Sequence, residues 1–464
     1  MTELCILSPT AILGYGFPEA SFAEGMRRKP DVIAVDAGST DPGPYYLGSG
    51  YSFTDRSAVM RDLSFIIPAA LNANIPVIIG TAGGSGAEPH LQWSVKIIEE
   101  IAENKNLSFK MAVISADIPH EIVLSKLASR KVVPLNPVQE LTEQDVYDSV
   151  NIVGQMGAEP FIRALEEGAD VIVAGRAYDP AVFAALAIKN GYDRGLATHL
   201  GKILECAAIA ATPGSGSDCM IGRLGEGYFR VEPLSRMRKC TVKSVAAHTL
   251  YEKTNPYMLP GPGGTLDLVN TVFTQETENS VKVTGSVWVP AYPYFVKLEG
   301  ARSVGFRTIS ICAAADPVMI SQIDNIIPAV QDRVQSNFAG AIDKFLLDFK
   351  VYGQNGVAAV FAAGGYPQSK QTIVPPPELC ILINAVAPTQ EQADTVCSFT
   401  RSTLLHYGYE GRVSTAGNLA FPFSPSDFAA GEVFEFSIYH LMEVDSPCEF
   451  FNMEIKNIEG GACR

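Results

Sequence analysis

The sequence predicts an α/β fold, with an N-terminal doubly wound, mainly parallel sheet followed by a C-terminal α+β domain. In the first ~225 residues, short β-branched runs alternate with longer amphipathic segments, which is typical of βαβ units. From about Cys219 onward, hairpin-like segments and alternating strands replace that pattern. We therefore predict two domains, residues 1–225 with glycine-rich ligand loops and residues 226–464 with a role in oligomerisation.

The strands of the first half are short and continuously apolar, which favours a sheet covered by helices on both faces. Sequential βαβ crossovers are nearly always right-handed, so a doubly wound layer is the expected topology. The predicted strands are Glu3–Leu7, Val32–Val35, Val77–Ile79, Met111–Ile114 and Val171–Ala174. Amphipathic periodicity predicts helices over Ala58–Leu71 and Leu91–Glu103.

The second half alternates hydrophobic and polar residues as half-exposed strands do. The spacing predicts a hairpin over 219–234, a single strand over Ser280–Val289 and further strands over 303–313, 378–388 and 432–444. Helices are predicted over Ser321–Phe338 and Thr389–Tyr407. Proline and glycine in LPGPGG (259–264) predict a loop.

Composition excludes several classes of protein. The 464 residues are 47% hydrophobic and 18% charged, which excludes a disordered chain or a coiled coil. Lys and Arg number 35 against 50 Asp and Glu, a net charge of −15, so we expect no nucleic-acid partner. The longest apolar stretches fall short of the ~18 residues that span a bilayer, so no membrane role is expected.

The N-terminal segment and the cysteines predict a cytoplasmic protein. The segment MTELCILSPTAILGYGF lacks the basic and apolar regions of a secretory signal. Nine cysteines are scattered along the chain without a CxxC pair. This distribution favours a reducing compartment.

Polar residues follow the predicted strands of the first half. In open α/β sheets, ligands bind at the carboxyl ends of the strands, where helix N-termini also point their free N–H groups. We therefore expect these loops to share one cleft for a small-molecule substrate. The candidate residues are Asp36, Asp41, Glu88 and His90 for proton transfer and Gly83, Gly84, Ser85, Gly86, Arg176 and Ser217 for substrate binding.

The loop GTAGGSGAEPH (80–90) matches neither GxGxxG nor GxxxxGK[ST]. Its glycines allow a tight turn and a close approach to a ligand, and the next helix begins near Pro89. Backbone N–H groups there could hold a phosphate or a carboxylate. The alternative is a plain βα turn, and the presence of Glu88 and His90 favours the ligand loop.

The loop DAGSTDPGP (36–44) carries Asp36 and Asp41 five residues apart. Two carboxylates can bind a divalent cation such as Mg²⁺ or act as acid and base, although Asp is also common in turns. In GRAYDPA (175–181), Arg176 suits a substrate carboxylate or phosphate, and Asp179 is predicted to cap a helix.

Two other segments give weaker signals. His199 and Cys206 are seven residues apart on a helix, about 10 Å along its axis, so they cannot share a zinc ion. Ser217 and Cys219 lie in PGSGSDCMIG, a second glycine-rich loop. A hydrolase that uses either residue as nucleophile is a further alternative, but the sequence places no base beside them.

Long motifs make the chain resemble the acyclic terpene utilisation family over roughly residues 3 to 450. They are VDAGSTDPGPYYLGSG, GTAGGSGAEPHLQW, IVGQMGAEPFIRALEEGADVIVAGRAYDP, HLGKILECAAIAATPGSGSDCMIG and VAAHTLYEKTNPYMLPGPGG. The resemblance implies a place in the catabolism of acyclic terpenes, without agreed catalytic residues. It also implies a short companion domain in many members, so a separate small companion protein, or none, is expected. The chain departs from the family pattern at Ala207 and Tyr178, where Gly and Cys are expected.

These observations favour an enzyme that acts by acid–base chemistry on a small carboxylic acid or an acyl thioester, as a hydro-lyase or an isomerase. The alternative is a non-catalytic ligand-binding or scaffolding subunit that completes a partner's active site. We also expect a homo-oligomer, because the apolar fraction is high and the second half offers strand edges.

Overall fold

The computed structural model describes residues 2–251, 255–342, 344–357, 376–413 and 418–460. The chain forms two compact units, one from Met1–Arg302 with Phe436–Arg464 and the other from Ser303–Glu435. The boundaries of these units differ from the boundary between the predicted domains, 1–225 and 226–464. The two domains remain a prediction. The α/β fold class is confirmed, because a sheet with a parallel centre lies in the N-terminal part and further sheets follow.

The strands of the described residues are numbered in chain order. They are β1 (Leu4–Ser8), β2 (Val32–Asp36), β3 (Val77–Gly80), β4 (Phe109–Ile114), β5 (Val132–Pro134), β6 (Ser149–Gln155), β7 (Val171–Ala174), β8 (Met220–Gly225), β9 (Tyr228–Pro233), β10 (Met258–Gly261), β11 (Gly264–Asp267), β12 (Val272–Gln275), β13 (Val281–Thr284), β14 (Val287–Pro290), β15 (Tyr294–Ala314), β16 (Leu346–Tyr352), β17 (Leu379–Ala387), β18 (Asp427–Val444) and β19 (Met453–Ile458).

The helices of the same residues follow the same convention. They are α1 (Glu19–Arg27), α2 (Pro44–Ser49), α3 (Arg56–Ala73), α4 (Glu88–Lys105), α5 (His120–Ala128), α6 (Glu143–Asp148), α7 (Glu159–Glu166), α8 (Asp179–Lys189), α9 (Arg194–Leu204), α10 (Val242–Thr249), α11 (Pro317–Phe338) and α12 (Gln390–His406).

The first unit contains a ten-stranded sheet in the order β12-β13-β9-β8-β1-β2-β3-β7-β4-β19. The five middle strands are parallel to one another, and they are β1, β2, β3, β7 and β4. The strands on either side pair antiparallel. The parallel strands are buried on both faces, as their continuously apolar sequences predict.

Successive residues of these strands enter two separate hydrophobic cores, one on each face of the sheet. Ile6 and Ile78 belong to one core, whereas Leu7 and Ile79 belong to the other. This alternation follows from the pleat of a strand, which points neighbouring side chains to opposite faces. The prediction of a sheet with apolar cover on both faces is confirmed.

The second unit has its own core. Strands β16 and β17 pair antiparallel, and β17 pairs with the part of β15 from Phe306 to Ala314. Buried residues of α11 and α12, such as Ile323, Val330 and Val396, pack with Ile381 and Ile383 of β17. The apolar residues of both helices recur at helical spacing, which is why their positions could be predicted.

Two predictions about strands are wrong. Ser280–Val289 is two strands in two sheets, because Gly285 between β13 and β14 has φ +83° and a Cβ there would lie 2.1 Å from the Asn270 carbonyl oxygen. Strand β13 joins the large sheet, and β14 pairs with β11. LPGPGG is the hairpin β10–β11 rather than a loop, since Pro262 and Gly263 (φ +73°) form a two-residue turn.

Candidate functional site

A buried carboxylate, Glu299 on β15, joins two of the predicted loops of the first unit. Thr40, in the loop after β2, donates a hydrogen bond from Oγ1 to Glu299 Oε1 at 2.7 Å. Arg176, just after β7, donates from Nε to Glu299 Oε2, also at 2.7 Å. Both charged side chains are buried: that of Glu299 is completely inaccessible to solvent, and that of Arg176 is 3% exposed. These two loops therefore converge on one buried carboxylate.

Glu299 carries a full negative charge because two cations flank it. Lys297 Nζ forms an ion pair with Glu299 Oε1 at 2.6 Å. Burial opposes ionisation, but the charges of Arg176 and Lys297 and their hydrogen bonds outweigh it and lower the pKa of Glu299 to about 2. An ionised carboxylate that accepts three donors is well satisfied.

Asp36, the last residue of β2, has the opposite electrostatic environment. Burial raises the pKa of its carboxyl group well above the usual value, and the nearby charges of Asp179 and Glu205 raise it further. Arg176 and a backbone N–H from Gly38 act in the other direction. Within the described part of the chain, Oδ1 of Asp36 has no hydrogen-bond partner although it is buried. Asp36 is thus a buried carboxyl group that favours its protonated form and has one oxygen without a partner among the described residues.

We expect Asp36→Asn to make unfolding less dependent on pH. A folded-state pKa above the unfolded value means that Asp36 stabilises the fold below its unfolded pKa, and that this stability is lost as pH rises through the folded pKa. The free energy of unfolding of the variant relative to wild type should therefore rise between pH 4 and pH 8, as measured by urea unfolding. Asp31→Asn is the control, because Asp31 precedes the same strand at its opposite end and is exposed. A constant difference between Asp36→Asn and wild type over that range would contradict the assignment.

Arg176 is fixed by three acceptors. Besides Glu299, it donates from Nη1 to the Ala177 carbonyl oxygen at 2.8 Å and to Asp179 Oδ1 at 3.2 Å. These bonds use Nε and Nη1, and the guanidinium carries two more N–H donors on Nη2. The prediction that Asp179 caps α8 is wrong: Tyr178 holds the N-cap position without a side-chain bond, and the Asp179 carboxylate pairs with Arg176 instead.

The loop between β3 and α4 packs its backbone against this site. A Cβ on Gly86 would lie 2.2 Å from the backbone N of Arg176, whose N–H donates to the Gly86 carbonyl oxygen at 3.0 Å. Cβ atoms on Gly83 and Gly84 would collide with His90 and Phe53, respectively. Close packing thus requires these three glycines, whether or not the loop also binds a ligand. Ser85 between them is fully buried.

Glu88 and His90 lie at the start of α4 and are held by other partners. Glu88 accepts hydrogen bonds from Gln92 at 2.8 Å and Ser115 at 3.2 Å. Its backbone N–H donates to Asp117 at 2.9 Å. The pKa of Asp117 is raised to about 6, mainly by burial and also by the charge of Glu88. Asp117 could not be singled out from the sequence, because its partner Glu88 lies 29 positions earlier.

His90 is buried, and its Nε2 lies 3.0 Å from the Tyr51 carbonyl oxygen, so it donates to that oxygen. Burial lowers the pKa of His90 and favours the neutral ring. Among the described residues, no hydrogen bond links His90 or Glu88 to Glu299 or Arg176. Any proton exchange of His90 and Glu88 with a ligand would therefore take place at the loop between β3 and α4.

Asp41 and Ser217 are exposed and make local hydrogen bonds. Asp41 accepts from the Ser39 hydroxyl at 2.9 Å. The Ser217 backbone N–H donates to Ser215 Oγ at 3.2 Å. Cys219 is fully buried, and burial raises the pKa of its thiol, with a further rise from Asp218. A buried protonated thiol is a poor nucleophile.

A second buried ion pair lies at the end of α9. Lys202 pairs with Glu205, and both side chains are at least 90% buried. His199 on the same helix lies 2.7 Å from Ser286 Oγ through Nδ1 and 3.0 Å from Thr249 Oγ1 through Nε2. Burial and the charge of Lys202 lower the pKa of His199 to about 3, so the ring is neutral.

No group of three or more His, Cys, Asp or Glu side chains in the described ranges is arranged to hold a metal ion. Asp36 is buried whereas Asp41 is exposed, and Asp36 shares its surroundings with the Arg176 guanidinium. Asp36 and Asp41, for which a divalent-cation site is predicted, are therefore not part of such a group of ligands among the described residues.

A cavity of about 270 Å³ opens beside the network at Lys297. The β10–β11 hairpin, including Pro260 and Gly263, forms one wall, and Phe295 and Leu441 contribute apolar surface. Sequence reasoning missed Lys297 and Glu299. A signal was present, because two charged residues at i and i+2 of an apolar strand lie on the same face.

Fold and site together describe an α/β protein with a buried network of charges at the carboxyl edge of its parallel strands. The chain belongs to the acyclic terpene utilisation family: the model of the acyclic terpene utilisation family protein AtuA matches residues 50–219 and 225–421. Neither a curated protein nor a solved structure matches it. Among the described residues, none of the helices has the length and apolar character needed to cross a membrane.

Proposed function

We propose that the protein is an enzyme of small-molecule metabolism that acts by acid–base chemistry on a small carboxylic acid or an acyl thioester. The reaction is a hydration, a dehydration or an isomerisation next to a carbonyl group, within acyclic terpene utilisation. The observation that supports this is the pair of buried carboxyl groups near Arg176, whose pKa values are shifted in opposite directions. Such pairs of oppositely shifted groups mark the acid and base assignments of many active sites.

Asp36 is the group that transfers the proton. Its carboxyl favours the protonated form, and Oδ1 has no described hydrogen-bond partner, so that oxygen can donate a proton to a substrate or accept one from it. Glu299 stays ionised and fixes the orientation of Arg176 through the 2.7 Å bond to Nε. Arg176 then presents its Nη2 donors to a carbonyl or carboxylate oxygen of the substrate, where charge develops during proton transfer.

A non-catalytic ligand-binding or scaffolding subunit is the second candidate. One observation favours it: Arg176, Lys202 and Lys297 are each paired with a carboxylate. A network of compensated charges is also what a purely structural role requires. We also propose that the protein is cytoplasmic and that it forms a homo-oligomer. A small companion protein is a further proposed partner.

Exchange of substrate hydrogen with solvent separates the two candidates. The full-length protein is incubated in D₂O with a panel of short branched acids and their acyl thioesters, and deuterium in each compound is measured by mass spectrometry. We expect incorporation next to the carbonyl with at least one compound, and a loss of about 10²-fold or more in Asp36→Asn, as for removal of a general acid or base. Asp31→Asn should exchange at the wild-type rate.

Three outcomes contradict the proposal. Equal exchange in Asp36→Asn and wild type removes Asp36 from the mechanism. Equal losses in Asp31→Asn and Asp36→Asn indicate a general effect of substitution near this strand rather than a role of Asp36 in the reaction. Binding of a compound by calorimetry, without exchange of any compound, favours the ligand-binding subunit.

A further inference from the structure

The cavity beside Lys297 has the chemistry of a site for an aliphatic anion. Most of the side chains that line it are apolar, including Leu135, Phe295 and Leu441. Gln155, Thr265 and Lys297 supply the polar side chains. Ligand sites in proteins commonly combine apolar walls with a few placed polar groups.

Among the described residues, two neighbours of Lys297 accept hydrogen bonds from its ammonium group and leave it one further donor. Its ammonium group carries three N–H bonds. One is directed to Glu299 Oε1 at 2.6 Å and another to the Tyr439 hydroxyl at 3.1 Å. The Tyr439 ring lies 4.3 Å from Nζ and holds the group from one side. The side chain of Lys297 is 19% exposed, and it lines the cavity, so the third N–H can reach a ligand there.

The size of the cavity suits a small ligand. A volume of about 270 Å³ equals roughly nine water molecules at ~30 Å³ each. The cavity therefore has room for a molecule of about ten non-hydrogen atoms.

We propose that this cavity binds the free carboxylate of a small branched aliphatic acid, with the carboxylate on Lys297 and the hydrocarbon chain against the hairpin and Leu441. This inference rests on the proposed function and narrows its substrate class from acids and thioesters to free acids. A carrier thioester adds several phosphate charges, and Lys297 is the basic side chain among the described residues that line the cavity.

One carboxylate links this cavity to the proposed proton-transfer group. Lys297 and Arg176 bind the two oxygens of Glu299. Arg176 and Asp36 do not line the cavity, so an anion on Lys297 is coupled to Asp36 through the charges of Glu299 and Arg176 rather than by contact.

Calorimetry with the full-length protein tests the inference. The probe is 4-methylpentanoate, and the comparison compound is 4-methylpentan-1-ol, which has the same skeleton without the charge. We expect the acid to bind at least about tenfold more tightly than the alcohol, since a hydrogen bond to a charged group contributes roughly that much. Lys297→Met should bring the affinity for the acid down to that for the alcohol.

Lys282→Met is the matched control. Lys282 also lies 4.3 Å from a tyrosine ring, that of Tyr228, but it is on β13 and does not line the cavity. It should bind both compounds as wild type does. Thr265→Phe fills the cavity from a half-buried position that is not itself part of an ion pair, and should abolish binding of both compounds. This variant decides the question if Lys297→Met fails to fold.

The inference is overturned if Lys297→Met or Thr265→Phe, folded by circular dichroism, binds the acid as tightly as wild type. Equal binding of acid and alcohol by wild type also overturns it. Failure of the proposed function has a different signature: acid binding that depends on Lys297, with no Asp36-dependent exchange. Exchange that depends on Asp36, with no binding at Lys297, leaves the function standing and removes this site.

Discussion

Replacing Glu299 by glutamine is expected to lower the free energy of unfolding by about 3–5 kcal/mol at pH 7. The carboxylate accepts from Thr40 and pairs with Arg176 and Lys297. Glutamine removes the charge that compensates two cations, and its amide NH₂ then faces one of the donors. Because Glu299 and Arg176 are buried, water cannot replace the lost interactions. Urea unfolding followed by circular dichroism measures the change.

Glu100→Gln is the control for this experiment. Glu100 also pairs with an arginine, Arg56 at 2.5 Å, but its side chain is 45% exposed. Exposed ion pairs contribute about 1 kcal/mol or less, so a small loss is expected there. Similar losses in Glu299→Gln and Glu100→Gln would show that burial does not set the value.

The pH dependence of the difference in stability between wild type and Glu299→Gln is a second test of the charge on Glu299. A folded pKa of about 2, below the usual 4.5, means that Glu299 stabilises the fold above its unfolded pKa, by about 3 kcal/mol. This stability is lost as pH falls through about 2. The difference in the free energy of unfolding between wild type and Glu299→Gln should therefore be full at pH 6 and shrink below about pH 4.5. A difference that stays constant down to pH 2.5 would contradict the assignment.

The sequence predicts the parallel part of the fold well because its information is local. The runs Val32–Val35 and Val171–Ala174 are apolar throughout, and each lies within or matches an observed strand. Where a backbone detail decides the structure, the pattern is insufficient. Residues 280–289 alternate as one strand should, yet the left-handed conformation of Gly285 divides them between two sheets.

The candidate site is only half visible in the sequence for a related reason. Arg176 follows a predicted strand, so the geometry of parallel sheets places it at the carboxyl edge. Its partner Glu299 lies 123 positions later, on a strand with no glycine-rich loop to mark it. The family pattern adds information of another kind: Gly is expected at position 207, and Ala207 in fact has φ +46°, a conformation that favours glycine.

We expect Gly86→Ala to lower the free energy of unfolding by about 2–5 kcal/mol. Two separate costs contribute. Gly86 has φ +71°, where a Cβ costs about 1–2 kcal/mol. The added Cβ would also lie 2.2 Å from the backbone N of Arg176, and overpacking of this kind costs about 1–3 kcal/mol. Thermal and urea unfolding measure the loss.

Gly168→Ala separates the two costs, because Gly168 has the same φ of +71° but no atom within 4 Å of an added Cβ. It should show the conformational cost alone, about 1–2 kcal/mol. The excess loss in Gly86→Ala then measures how rigidly the loop is held against Arg176. Because Arg176 is the neighbour that must move, the excess should be accompanied by slower deuterium exchange of the substrate, whereas Gly168→Ala should exchange at the wild-type rate. Equal losses of stability in the two variants would mean that the loop moves away from Arg176 without cost, and that the close packing does not hold the guanidinium in place.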